Sequence, residues 1–120
     1  YYISTERDHI APWKATYEGA RLLNSNVRFT LGGSGHIAGI VNPPQKNKYC
    51  YWTNPKAGKL PANPDDWFEN AERHEGSWWP DWHRWLANKG GAKVEARPVG
   101  SKKYQPIEDA PGSYVKERHD

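Results

Sequence analysis

Two short strand-forming segments, residues 1–5 and 27–31, flank one amphipathic helical segment, and each is followed by a polar loop. No other feature constrains the fold as strongly. The first segment, Tyr1-Tyr2-Ile3-Ser4-Thr5, is aromatic and β-branched, as strands are. Pro12 suits the first turn of a helix, and Trp13, Tyr17, Ala20 and Leu23 recur at helical spacing, which predicts a helix over residues 12–23. Asn24-Ser25-Asn26 reads as a turn, and Gly32-Gly33-Ser34-Gly35 ends the second strand sharply. Strand, loop, helix, strand, loop is the repeating unit of an α/β parallel sheet.

The second half reads differently. Asn42-Pro43-Pro44 opposes regular structure, and residues 45–63 read as a long loop anchored by Tyr51 and Trp52. Pro64-Asp65-Asp66-Trp67 looks like a helix start with acids in its first turn, running to about Arg73. Ser77 is placed to cap a second helix from Trp78 to about Asn88, with Trp78, Trp82 and Trp85 or Leu86 as its apolar stripe, until Gly90-Gly91 stops it. Residues 92–120 are rich in Pro, Gly and charge and predict an irregular tail. The expected organisation is one domain portion over residues 1–91 followed by that tail.

Apolar residues make up 36% of the chain, few for a well-cored domain, and seven Trp and seven Tyr supply much of that area. Aromatic bodies with polar tips suit half-buried surfaces, so such a chain is expected to bury its best face against a partner. The 120 residues include no Met, which fits a piece of a longer chain. The single cysteine, Cys50, excludes a disulfide framework. No apolar run approaches the roughly 18 residues of a membrane span. Net charge is +3, but acids interrupt the basic residues throughout, unlike the dense, one-sided stripe of a nucleic-acid binder.

Two polar clusters follow the two strands: Arg7-Asp8-His9 and Gly33-Ser34-Gly35-His36. Catalytic groups in open α/β sheets gather at the carboxyl ends of strands. Asp8 and His36 lie about one crossover unit apart in sequence, which brings their loop tips together. An aspartate accepting from one ring nitrogen fixes the imidazole tautomer and leaves the other nitrogen free to take a proton from a nucleophile. Acid before histidine is also the chain order of α/β-hydrolases, whose nucleophile lies earlier, on a strand-to-helix elbow. The sequence contains no G-x-S-x-G or G-x-C-x-G. A nucleophile is therefore expected upstream. Spacing by itself leaves a structural role open for both residues.

Longer motifs add a resemblance. Arg7-Asp8-His9-Ile10-Ala11-Pro12-Trp13 is similar to a "DHI-x-PW" segment of poly(3-hydroxyalkanoate) synthases. Gly33-Ser34-Gly35-His36-Ile37-Ala38-Gly39 and Asn42-Pro43-Pro44 resemble that family's "GSGHIAG-x-x-NPP". Gly76-Ser77-Trp78-Trp79-Pro80-Asp81-Trp82 resembles its tryptophan motif, and Pro111-Gly112-Ser113-Tyr114-Val115-Lys116 its C-terminal signature. The match runs in order along nearly the whole chain. Its wording is closest to class I, whose members consist of one type of subunit and favour short-chain monomers.

The resemblance implies the C-terminal part of an α/β-hydrolase-type catalytic domain, with Asp8 and His36 as the acid and histidine of a Cys-His-Asp triad. The cysteine would lie upstream. Cys50 sits in Lys48-Tyr49-Cys50-Tyr51 without an elbow of glycines and reads as a structural residue. The implied substrate is an (R)-3-hydroxyacyl-CoA, above all 3-hydroxybutyryl-CoA, polymerised to polyester with release of CoA. No metal or redox cofactor is expected. The implied partners are the growing polyester, the upstream part of the same protein, a second copy in a homodimer, and the polymer granule surface in the cytoplasm. No nucleic acid is expected. His9 reads as a loop residue satisfied locally, and His74, His83 and His119 as surface residues without metal-ligand spacing. Two other readings compete: a thioesterase, depolymerase or other α/β-hydrolase fragment, and a non-catalytic module whose exposed tryptophans bind polymer or sugar.

Overall fold

A computed structural model describes residues 1–55 and 59–118, so His119 lies outside the described residues. The strand β1 (Tyr2–Thr5), the helix α1 (Trp13–Arg21) and the strand β2 (Phe29–Gly32) form the expected unit, with β1 and β2 parallel and Thr5 opposite Gly32. Pro12 stands just before the helix instead of inside it, and Leu23 is exposed beyond its end. The apolar stripe of α1 is therefore Trp13, Tyr17 and Ala20, without Leu23. Strand β2 starts at Phe29, later than Val27.

The expected loop over residues 45–63 is corrected by the structure. A 3₁₀ turn (Pro44–Lys46) leads into a third strand, β3 (Cys50–Thr53). The next helix, α2 (Pro64–Glu69), ends earlier than Arg73 because residues 72–75 form a fourth strand, β4 (Glu72–Glu75). The strands lie in the order β1-β2-β3-β4, with β3 antiparallel to both neighbours. The fold is thus a small α/β unit with a mixed four-stranded sheet. Tyr51 and Trp52 are strand residues on opposite faces, where successive strand side chains must point.

Alternation in β2 sorts the two faces. Phe29 and Leu31 point to one side and meet Tyr17 and Ala20 of α1 and Trp67 of α2, all buried. Phe29 is edge-on to both Tyr17 and Trp67, each 4.9 Å away, an arrangement in which a ring's positive edge meets its neighbour's negative face. Asn63 starts α2, its side-chain oxygen accepting from the Asp65 N–H at 3.0 Å, with Pro64 in the first turn behind it. Trp67 is fully buried. Trp67→Ala is expected to cost about 3–5 kcal/mol through lost transfer free energy and the cavity left behind. The shift of the urea midpoint would measure it.

The helix α3 (Trp79–Gly90) belongs to the other face. Its buried Asp81 accepts from Arg28 in a two-pronged bond, 3.0 Å from Nε and 2.7 Å from Nη2, and from the Tyr1 hydroxyl at 2.8 Å. Burial alone would raise the Asp81 pKa, but the bonds from Arg28 and Tyr1 outweigh it and hold the carboxyl below its ordinary value. The helix starts one residue later than expected, so Trp78 and not Ser77 holds the capping position and makes no side-chain cap bond, while the Ser77 hydroxyl just before it accepts from the Trp79 N–H at 3.1 Å. Gly91, with φ of 73°, turns the chain out of α3. Residues 92–113 carry no helix or strand, and Tyr114–Lys116 forms a single 3₁₀ turn. Among the described residues, no helix is long and apolar enough to cross a membrane.

Candidate active site

Because β1 and β2 are parallel, the loops that follow them leave the same edge of the sheet. Backbone bonds then join the two loops: Glu6 N–H to Gly32 O at 2.8 Å, and Arg7 N–H to Ser34 O at 3.0 Å. Ser34 has φ of 80°, a left-handed conformation costly for a residue with a Cβ. This kink lies two residues before His36. Gly33 must be a glycine for a different reason: a Cβ there would lie 2.9 Å from the Cys50 carbonyl oxygen. That close approach lets the loop follow the end of β3.

Asp8 and His36 meet. His36 Nδ1 lies 2.8 Å from Asp8 Oδ2. The other carboxylate oxygen accepts from two backbone N–H groups, Ile10 and Ala11, each at 2.9 Å. The Thr5 hydroxyl is 3.4 Å from Oδ2. The Ala11 N–H first, and then the His36 bond, pull the Asp8 pKa down from 3.8 to about 2, against a smaller opposing effect of desolvation. At neutral pH this carboxylate can only accept. Nδ1 of His36 is therefore the donor, and in the neutral ring this leaves the lone pair on Nε2. The Asp8 side chain is 8% exposed and the His36 side chain 46%. The acid is enclosed and the imidazole faces outward. Such a pair can take a proton at Nε2 from a group that approaches from outside, with the resulting charge stabilised by Asp8.

The neighbouring candidates are arranged otherwise. His9 is exposed, and its ring has no hydrogen-bond partner among the described residues, so the expected local bonds are not formed. His74 is no solvated surface residue: its Nε2 is 2.9 Å from Thr53 Oγ1, and its ring stacks on Tyr51 at 4.8 Å. Cys50 is half-buried in β3, paired with Glu75 and packed against Gly33. Among the described residues, no three His, Cys, Asp or Glu side chains converge as a metal site. A cleft of about 630 Å³ lies at Arg21, Asn24, Asn26, Val27 and Lys59, near the start of β2, and includes neither Asp8 nor His36. Of the seven tryptophans only Trp82 is exposed, so they do not form an open binding surface.

Sequence reasoning missed the support of the Asp8 carboxylate by Ile10 and Ala11. An acid two and three residues before free N–H groups is the spacing of an Asx turn, and that signal was readable. It also missed the anchoring of the His36 loop by Trp78 and Trp79. Trp78 Nε1 donates to Gly39 O at 3.1 Å and Ile40 O at 3.3 Å, and Trp79 Nε1 to Ile40 O at 2.9 Å. Both neighbouring indoles reach the loop because Trp78 precedes the helix and Trp79 begins it.

The fold and its paired loops define an α/β unit that presents an acid-held histidine at the carboxyl ends of two parallel strands. The chain is 51% identical over 118 residues to the poly(3-hydroxyalkanoate) polymerase subunit PhaC of Cupriavidus necator, a match covering 97% of this chain and 19% of that protein. It is 46% identical over 118 residues to the subunit of the same name from Rhizobium etli, covering 98% of this chain and 18% of that protein. It is 43% identical over 116 residues to poly(3-hydroxyalkanoate) polymerase 2 of Ectopseudomonas oleovorans, covering 96% of this chain and 20% of that protein. No protein-family model matches. Over nearly its whole length the chain is similar to the C-terminal part of proteins named poly(3-hydroxyalkanoate) polymerase. It spans about a fifth of the length of the curated relatives it matches.

Proposed function

We propose that this chain supplies the acid and the base of a poly(3-hydroxyalkanoate) polymerase, Asp8 and His36, to a cysteine nucleophile carried upstream of Tyr1. The observation that carries this reading is the 2.8 Å bond from His36 Nδ1 to Asp8 Oδ2, with the ring otherwise turned outward. The relatives' names support the reaction class. Residues 1–91 would complete an α/β-hydrolase-type catalytic domain, with residues 92–120 as its tail.

The chemistry follows from the pair. His36 Nε2 takes the proton of the cysteine thiol, and the thiolate attacks the thioester carbonyl of an (R)-3-hydroxyacyl-CoA. The carbon–sulfur bond to CoA breaks, and CoA leaves with the proton that the imidazolium returns. In elongation, a 3-hydroxyl group attacks an acyl thioester. Its proton passes to His36, and the ester bond forms as the enzyme thiolate leaves. The reaction requires no metal or redox cofactor. The wording Gly35-His36-Ile37-Ala38-Gly39 supports the short-chain class, and 3-hydroxybutyryl-CoA is the substrate of choice. An insoluble polyester product would hold the enzyme at a granule surface, and the family resemblance supports a cytoplasmic homodimer.

The isolated 120-residue chain mixed with 3-hydroxybutyryl-CoA is expected to release no thiol above background in a colorimetric assay, whereas the full-length enzyme turns over. Release by the isolated chain that Cys50→Ser abolishes would show the nucleophile to be Cys50 and overturn the upstream assignment.

A further inference from the structure

We propose that Trp79 is a positioning residue for His36, holding the histidine loop in register through its indole N–H. The inference rests on the reading of His36 as the base. Beyond Gly35 the loop makes one helix-like turn, with Gly39 N–H bonded to Gly35 O at 2.9 Å and Val41 N–H to Ile37 O at 2.8 Å. Carbonyls at the end of such a turn have no partner within it. Ile40 O is one of these; just beyond the turn it accepts from the Asn42 N–H at 3.0 Å, and Trp79 Nε1 adds a second bond to it at 2.9 Å, with Trp78 Nε1 shared between the same oxygen and Gly39 O.

The turn is thus held from two sides. From the sheet side, Gly39 sits so close to the end of β1 that a Cβ on it would fall 2.4 Å from Thr5 Cγ2, and Thr5 belongs to the same loop corner as Asp8. From the outer side, the two indoles carry the position of α3 to the turn. The first turn of α3 is itself fixed by Asp81 to Arg28 and Tyr1, at the start of the strands. Asp8 is the only side chain bonded to the His36 ring among the described residues. The direction of Nε2 therefore depends on the backbone of this turn. The two tryptophans differ in what else they do. Trp78 is buried, stacked with Tyr1 at 6.0 Å and packed edge-on against Trp82, so truncating it would damage packing. Trp79 is half-buried, and its indole nitrogen makes a single bond.

The test uses the full-length enzyme with Trp79 replaced by β-(3-benzothienyl)alanine, which keeps the ring outline and puts sulfur where the N–H was. Trp79→Phe serves as a genetically encoded second variant, and Trp82→Phe as a control on the same helix. The expected result for both position-79 variants is a fall in kcat between about 3- and 100-fold, the range in which small misplacements of a catalytic group act. KM and the thermal midpoint should stay at wild-type values, and the Val41 amide should exchange faster. Trp82→Phe should match wild type. Wild-type kcat in the benzothienyl enzyme would overturn the proposal, as would a loss of kcat that tracks a lowered thermal midpoint. If His36→Ala proves active, the assignment of the base fails instead, while Val41 exchange still reports whether the indole N–H holds the turn.

Discussion

Alanine in place of His36 is expected to slow the full-length enzyme by at least about 10²–10⁴-fold in both thioester attack and chain elongation, the usual contribution of a positioned general base. Both steps move a proton at the same site, one from a thiol and one from a 3-hydroxyl group. The His36 side chain is nearly half exposed, so its removal leaves no buried cavity, and the thermal midpoint should stay close to that of wild type. Rapid-mix measurement of CoA release, beside polymer yield, reads the two steps separately. Elongation that proceeds at the wild-type rate in His36→Ala would show that another group deprotonates the hydroxyl.

Asp8→Asn is the second large effect. The amide keeps the shape, and its oxygen can still accept from the N–H groups of Ile10 and Ala11. Its nitrogen, however, then faces His36 Nδ1 as a donor. The ring is driven to the other tautomer, with hydrogen on Nε2, where it cannot accept a proton. In hydrolase triads such a tautomer change costs on the order of 10⁴-fold. We expect elongation to fall further than acylation, because an alcohol needs more help from a base than a thiol does, and acyl-enzyme to accumulate in a single turnover with labelled substrate. Equal losses would show that Asp8 acts only through His36, and wild-type rates in both steps would remove Asp8 from the site. The same variant has a pH signature. Folding lowers the Asp8 pKa from 3.8 to about 2, so its stabilising contribution is complete above pH ~4 and disappears as pH falls through ~2. The acid-denaturation profiles of wild type and Asp8→Asn should therefore converge toward pH ~2.

Much of the site was legible in the chain. Pro12, the spacing of Trp13, Tyr17 and Ala20, and the glycines after Leu31 mark β1, α1 and β2 through local periodicity and turn chemistry alone. Once those elements are marked, parallel pairing puts both polar loops at one edge. Asp8 and His36 follow from that edge.

The other half of the sheet was not legible. Strand β3 is four residues long, and β4 reads Glu72-Arg73-His74-Glu75, with no apolar residue at all. Nothing local marks such a segment as a strand. It is one because β3 offers it a ladder of backbone hydrogen bonds, while its charged side chains suit an edge. The same holds for Trp79: its role as a cap on Ile40 depends on where Arg28 and Tyr1 hold Asp81, a residue far from all three in sequence. The sequence by itself determined the elements whose signals repeat over a few residues, and through them the acid–histidine pair. The tertiary structure alone decided strand partners, loop anchors and the enclosure of Asp8, because those energies arise between groups that only folding brings together.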